Sequence, residues 1–400
     1  MAALRTLDEV HVDGRTVLVR ADFNVPMDNG AVTDPTRIQR GARTIRELMD
    51  AGARVVILSH FGRPKGKVRP ELSLQPVIEP LREALGGAGV RFVEATVGET
   101  AHSAVRELRP GEVALLENVR FEPGEEAGDD AFADQLAALG EIYVNDAFSA
   151  SHRAHASVAG VARRLPAYAG RLMEEELRHL EAALDVPARP LMAVVGGAKV
   201  STKLDLLGNL ADRVDRLVIG GGMANTFLAA LGHDVGGSLY EDGMLDTARG
   251  ILRRAQQSEC TVRLPEDVVV ASELAANAAT ETVGVHAVPA GEMILDIGPQ
   301  SAATLEDDLA TCRTLVWNGP LGAFETPPFD TGTNRVARRA ADLTESGGLL
   351  SVAGGGDTVA ALTRAGVAER FSYVSAAGGA FLEWLEGREL PGIPPLYADS

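Results

Sequence analysis

The sequence predicts an α/β protein of two doubly wound, mainly parallel α/β lobes joined by a connecting helix. Three observations carry that expectation. Short apolar runs alternate with amphipathic stretches of about 10–15 residues, the pattern of βαβ units in a parallel sheet. The runs are made of Val, Leu, Ile and Ala, and aromatics are only 4% of the chain, which suits strands buried on both faces. The chain has 400 residues, so two lobes of about 200 residues each are expected in place of one core.

Taken in order, the expected strands cover 16–20, 54–59, 91–93, 113–116 and 142–145, then 191–195, 216–219, 268–271, 294–297, 314–317, 349–353 and 373–374. Residues 36–51 between the first two place Ile38, Ala42, Ile45, Leu48 and Met49 at helical spacing. Residues 172–184 read as a strong helix with Glu174, Glu175 and Glu176 crowded into its first turns, where the helix dipole favours anions. Pro187 and Pro190 end it. The expected organisation is a substrate lobe over 1–171, an inter-lobe helix over 172–185, a nucleotide lobe over 186–383 and a C-terminal segment over 384–400. Within the last, Pro391-Gly392-Ile393-Pro394-Pro395 cannot be helical. It reads as a frayed tail or as a strap packing back on the first lobe.

Composition excludes several function classes. Hydrophobic content of 46% is ample for buried cores. A formal net charge of −18 repels nucleic acid and anionic membranes. No window holds 18 consecutive apolar residues, and the first residues, Met1 to Asp8, lack an apolar signal core. Cys260 and Cys312 form neither a disulfide framework nor a metal pattern. The expectation is a soluble protein of a reducing cytoplasm, without nucleic-acid or membrane partners.

Chemistry stands where the apolar runs end. Leu349-Leu350-Ser351-Val352-Ala353 leads into Gly354-Gly355-Gly356-Asp357-Thr358 and then a helical pattern. Glycines there let backbone N–H groups approach a phosphate, and a helix start adds the positive end of a dipole. A carboxylate beside them makes sense if a metal rides on the phosphates. Leu191–Val195 leads likewise into Gly196-Gly197-Ala198-Lys199, and Leu217-Val218-Ile219 into Gly220-Gly221-Gly222. Lys199 and Lys203 are four apart. With a helix beginning at about Ser201, Lys203 falls in its first turn, where a cation is unfavourable unless an anion is bound. In the first half, Arg37, Arg63, Arg120 and Arg153, with His60, follow strands or open helices. Their planar forks suit phosphate and carboxylate. A solvated surface charge is the alternative for any one of them, and a turn carboxylate is the alternative for Asp22. Asp22 and Asn24 offer acceptors for a hydroxyl. In open parallel sheets, ligands bind at the carboxyl ends of strands, so an enzyme handling phosphates is implied.

Read together, Arg20-Ala21-Asp22-Phe23-Asn24-Val25-Pro26, Ser59-His60-Phe61-Gly62-Arg63-Pro64, Leu116-Glu117-Asn118-Val119-Arg120-Phe121, Asn145-Asp146-Ala147-Phe148 and His152-Arg153-Ala154-His155 resemble the phosphoglycerate kinase family in order and spacing. The second half agrees through Gly196-Gly197-Ala198-Lys199-Val200, Gly220-Gly221-Gly222-Met223-Ala224-Asn225-Thr226-Phe227, Trp317-Asn318-Gly319-Pro320 and Gly354-Gly355-Gly356-Asp357-Thr358. The resemblance covers essentially the whole chain. It implies reversible phosphoryl transfer from 1,3-bisphosphoglycerate to Mg-ADP, giving 3-phosphoglycerate and Mg-ATP, by a monomer with small-molecule substrates. It implies substrate contacts from Asp22, Phe23, Asn24, Arg37, His60, Phe61, Gly62, Arg63, Arg120 and Arg153. Nucleotide contacts would come from Lys203, Glu325, Gly355, Gly356, Asp357 and Thr358, with Asp357 on Mg²⁺ and Glu325 on a ribose hydroxyl. Catalysis would rest on Arg37, Lys199, Gly356 and Gly379.

Two departures stand out. Where many members of the family read Ser-Thr-Gly-Gly-Gly-Ala, this chain has Ser375-Ala376-Ala377-Gly378-Gly379-Ala380. Ile294 replaces a glycine that some members place near the adenine. A nicotinamide dehydrogenase would want Gly-x-Gly-x-x-Gly after the first strand, and Arg20-Ala21-Asp22-Phe23-Asn24 does not supply it. A scaffold without activity would be signalled by loss of Arg37, Lys199 or Asp357, and all three are present.

Overall fold

A computed structural model describes residues 3–398. Residues 1–2 and 399–400, the outer edges of the two terminal segments expected from the sequence, lie outside them. Contacts divide the chain into two units, one running to Leu177 and resuming at Glu389, the other spanning Arg178–Arg388.

The first unit is built on six parallel strands: β1 (Thr16–Arg20), β2 (Arg54–Leu58), β3 (Val90–Val93), β4 (Val113–Leu116), β5 (Ile142–Asn145) and β6 (Ala167–Ala169). Their spatial order is β3-β4-β2-β1-β5-β6. β1 registers with β2 from Thr16 on Arg54 to Arg20 on Leu58. The chain leaves β1 toward β2 on one side and later returns to β5 on the other. The order therefore reverses between β1 and β5, and a crevice opens at their carboxyl ends. Val17, Val19, Val55 and Ile57 face helix α1 (Thr36–Asp50), which buries Ile38, Ala42, Ile45 and Leu48 in the same core. Asp34 fixes the start of α1 by accepting from both the backbone N–H and the hydroxyl of Thr36. The last residues complete this unit. Gly392 N donates to Ser151 O, and Arg5 N donates to Leu396 O.

Helix α2 (Arg171–Leu184) leaves the first unit for the second. Its first N–H groups are satisfied by side chains: Arg171 N donates to Thr44 Oγ1, and Leu172 N and Met173 N donate to Asp146 Oδ1. The second unit holds another parallel sheet, of β7 (Leu191–Val195), β8 (Arg216–Ile219), β9 (Thr261–Arg263), β13 (Thr314–Asn318), β14 (Leu350–Gly354) and β15 (Tyr373–Ser375), ordered β9-β8-β7-β13-β14-β15. Here the order reverses between β7 and β13. Trp317, Leu315, Met192 and Val194 pack with Val336, Ala337 and Ala340 of helix α5 (Thr331–Glu345).

Two expectations from sequence need correction. The runs at 268–271 and 294–297 do not join the parallel sheet. They belong to β10 (Asp267–Ala271) and β12 (Met293–Ile297), which pair in a separate antiparallel sheet whose third strand, β11 (Glu281–Gly284), lies on the other side of β10. Apolar content alone does not reveal strand direction. The helix expected from about Ser201 is a 3-10 turn over Val200–Thr202 followed by α3 (Leu204–Ala211), with Lys203 as its N-cap.

Candidate functional site

Each unit carries a candidate subsite at the carboxyl edge of its sheet. In the first, Asp22 follows β1 and is tied down on three sides. Its Oδ1 accepts from Asn24 N, and its Oδ2 accepts from Arg37 Nη1 at 2.9 Å and Ser149 Oγ at 2.5 Å. Burial works to raise its pKa, and the Arg37 charge and these hydrogen bonds work to lower it. Asn24 Oδ1 takes the N–H of Gly62, and Asn24 O takes a second bond from Arg37 Nη1. Arg37 thus makes its bonds to Asp22 and Asn24 with one nitrogen, Nη1. Arg120 Nη1 donates to Gly62 O. Phe61 N–H and C=O both bond the Asn118 amide, which holds the 59–63 turn in place.

Arg20, the last residue of β1, is fully buried behind this surface. Its Nε donates to Ser157 Oγ, which in turn donates to Glu125 Oε1. Its Nη2 lies 3.1 Å from His60 Nδ1. An arginine can only donate, so Nδ1 must accept and the ring proton sits on Nε2. Burial first, then the Arg20 charge, pushes the His60 pKa well below its ordinary value. His155 is likewise pushed down to about 4, by burial and then by Arg120 and Arg20. Both rings are therefore neutral near pH 7. Hydrogen bonds join Asp22, Asn24, Arg37, Gly62, Arg120 and, through Asn118, Phe61, while Phe23 N donates to Ser59 Oγ and His60 belongs to the Arg20 chain behind them. Arg63, next to Gly62 in sequence, is exposed, and so is Arg153, whose Nε donates to His152 Nε2. Sequence reasoning missed Arg20, Ser149, Ser157 and Glu125. The one signal was an arginine closing an otherwise apolar strand.

In the second unit a cavity of about 360 Å³ opens at the carboxyl edge. Helices α4 (Gly222–Ala230) and α6 (Gly356–Arg364) start there. Each is preceded by a glycine in the left-handed region, Gly221 at φ 66° and Gly355 at φ 95°, which lets the chain turn sharply from strand into helix. Asp357, in the first turn of α6, lines the cavity, as do Glu325, Gly197, Gly222 and the apolar Leu239, Leu274, Ile294 and Phe324. Asn225 lines it too. Its Nδ2 donates to Leu239 O, and its buried Oδ1 has no hydrogen-bond partner. Gly196 and Gly319 touch at the switch between β7 and β13. Lys203 Nζ donates to Gly196 O, Asn318 O and Asn318 Oδ1, so its first task is to knit these strand ends. Burial pulls its pKa down to about 8 against the charge of Asp357. Asn318 Nδ2 donates to Gly354 O, and Gly319 N donates to Thr358 Oγ1. Lys199 is exposed. Gly378, at φ 54°, precedes Gly379 at the start of α7 (Gly379–Leu385).

The model of the phosphoglycerate kinase family matches residues 7–388. The chain belongs to the phosphoglycerate kinase family. A phosphoglycerate kinase of Sphingopyxis alaskensis is 61% identical over 399 residues, covering 100% of both chains. One of Rhizorhabdus wittichii is 62% identical over 397 residues, covering 99% of this chain and 100% of its own. The solved structure of phosphoglycerate kinase from Coxiella burnetii superposes with a TM-score of 0.92 at 42% identity, over 98% of this chain and 99% of that one. The enzyme is a kinase with a carboxyl group as acceptor. It carries out the reversible glycolytic phosphoryl transfer between 1,3-bisphosphoglycerate and ADP. Among the described residues, no helix is long and apolar enough to cross a membrane.

Proposed function

We propose that the cationic cluster of the first unit holds 3-phosphoglycerate and that the cavity of the second holds the nucleotide as its Mg²⁺ complex. The observation that carries this reading is the division of labour between the subsites. One is a set of guanidinium groups fixed by Asp22, Asn24 and Gly62, suited to a small acid with phosphate and carboxylate ends. The other joins an apolar recess to glycine-started helices, with the Asp357 carboxylate in the first turn of one of them, suited to a base at one end and phosphates at the other.

In the ATP-consuming direction the acceptor is a carboxylate, already ionised near pH 7 because carboxyl pKa values lie around 4. No general base is needed, and the neutral His60 serves better as an Nε2–H donor to the acid. Arg37, through its uncommitted nitrogens, and Lys199 would neutralise the phosphoryl in flight, with the N–H groups at Gly356 and Gly379 beside them. Lys203, Thr358 and Gly355 would support the nucleotide phosphates, and Glu325 the ribose. No group of three or more metal-type side chains occurs among the described residues. That fits Mg²⁺, which usually takes one or two carboxylates and completes its shell with phosphates and water. Asp357 would be its protein ligand. When bound, Mg²⁺ neutralises charge on the nucleotide phosphates. We read the protein as a cytoplasmic monomer on family grounds.

Calorimetry on Asp357→Asn tests the assignment. Mg-ATP binding should weaken at least tenfold, by roughly the worth of one charged contact, while 3-phosphoglycerate binds as in the parent. Loss of 3-phosphoglycerate binding with intact Mg-ATP binding would reverse the two subsites.

A further inference from the structure

Asp296 is a buried carboxyl for which the transfer chemistry has no use. It is the fourth residue of β12, is 2% exposed and lies on the wall of the second unit's cavity. Both oxygens accept from backbone: Oδ1 from Ile297 N at 2.9 Å, Oδ2 from Gly332 N at 2.7 Å. Gly332 is the second residue of the helix Thr331–Glu345, so this oxygen sits at the positive end of a 15-residue helix. Two glycines press against the carboxyl. A Cβ at Gly322 would collide with Oδ1, and one at Gly332 would stand 2.7 Å from it. Between these glycines runs the stretch that includes Phe324, Glu325 and Thr326, three residues of the cavity wall. A backbone bond from Ala323 N to Leu295 O is its other tie to β12.

We propose that Asp296 is a positioning residue for the nucleotide: its carboxylate clamps residues 322–332 onto β12 and so sets the wall that carries Glu325. The inference rests on the reading that this cavity takes the nucleotide. An ionised carboxylate can accept from both N–H groups at once. A protonated one gives up part of that capacity to its own O–H, and one end of the clamp loosens. The groups that act on this ionisation are few. Burial pushes the carboxyl up to about 7, the N–H groups of Gly332 and Ile297 oppose this, and the like charge of Asp330 adds to it. The sign follows. Above about pH 7 the clamp is ionised and the wall is held. As pH falls through that value the proton binds, and nucleotide affinity drops.

The test is initial-rate kinetics with Mg-ATP and 3-phosphoglycerate between about pH 6 and 8. The nucleotide phosphates titrate in the same interval, so the readout is the ratio of KM for ATP between variant and parent. Asp296→Asn should raise that KM roughly tenfold at pH 8, the worth of one charged hydrogen bond, and change kcat less. The ratio should shrink toward one at pH 6, where the parent is itself protonated. A KM ratio of one throughout, or a raised ratio that does not vary with pH, overturns the clamp. Glu325→Gln, run alongside, should raise KM for ATP at every pH. If it does not, the cavity reading fails and the inference falls with it; if it does while Asp296→Asn is silent, only the clamp fails. Should Asp296→Asn not fold, Asp330→Asn decides. Removing the like charge should move the midpoint of the parent's KM profile to lower pH, and an unmoved midpoint overturns the proposal.

Discussion

Arg37 shows how one side chain can be both fixed and available. Its Nη1 is held by Asp22 Oδ2 and Asn24 O, so the guanidinium is aimed before any ligand arrives and little ordering entropy is left to spend on binding. As a cation for the phosphoryl in flight it should matter more to turnover than to ground-state binding. Arg37→Ala is expected to lower kcat by about 10³-fold or more, the low end for a phosphoryl-stabilising arginine. Steady-state kinetics giving a near-parental kcat with only a raised KM would remove it from the catalytic set. At this scale the sequence was legible where a charged residue followed a strand or opened a helix, as Asp22, Arg37 and Asp357 do, which the structure places in the first unit's cluster and on the second unit's cavity wall; Lys199, expected with them, is exposed and off that wall. The supporting set was not legible. Arg20 reads as one more strand residue, and its partner Ser157 lies 137 residues away. Only the fold brings Glu125, Ser157, Arg20 and His60 into one chain of hydrogen bonds. The inward turn of Lys203 was not legible either: as the N-cap of α3 it donates to three oxygens of the strand ends.

Among elements, α2 depends most visibly on a buried acid. Asp146 follows β5 directly and takes the N–H groups of Leu172 and Met173 on one oxygen. Burial nevertheless raises its pKa to about 6, with those N–H groups and the Thr44 hydroxyl pulling the other way. The native state therefore holds this proton more tightly than the unfolded chain between about pH 4 and 6, so this carboxyl's contribution to stability falls as pH rises across that interval and is flat above it. Asp146→Asn keeps an acceptor oxygen and cannot ionise. Its stability relative to the parent should rise between about pH 4 and 6, by up to about 3 kcal/mol for a shift of about two units. Denaturant melts would refute this if the difference fell over the same interval. Gly170 packs against the same carboxyl, so there is no room for it to swing away. Elements with strong apolar runs were legible to within a residue or so: β1, β4, β5, β7 and β8 begin and end where the sequence placed them. The strands missed were short or weakly apolar. β9 is Thr261–Arg263, with no buried residue, and β11 is Glu281–Gly284, half exposed. They are strands because a neighbour pairs with them. The direction of β10 and β12 was hidden for the same reason.

At the scale of the whole molecule, the proposed subsites belong to different units. Every residue assigned to 3-phosphoglycerate lies before Leu177, and every residue assigned to the nucleotide lies between Arg178 and Arg388. A phosphoryl group passes only between atoms almost in van der Waals contact. Water must also be kept from the acyl phosphate and from ATP while it passes. On the proposed assignment neither unit meets both demands alone. Free energy from both ligands together must therefore favour the arrangement in which donor and acceptor meet, and either ligand alone supplies only part of it. The return of the chain from Glu389 into the first unit gives the second unit two covalent links to it, through α2 and through this segment. Ala376 and Ala377 lie in the turn after β15, just before Gly378 and α7. Lacking the hydroxyl that many relatives place there, this turn should couple nucleotide binding to the motion less strongly. Solution scattering should show the radius of gyration falling when 3-phosphoglycerate and a non-hydrolysable Mg-ATP analogue are both bound, and falling less with either one. Ala376→Thr and Ala377→Gly together should deepen the fall seen with nucleotide alone. An unchanged radius with both ligands bound, in a preparation that turns over normally, would mean that transfer needs no such motion.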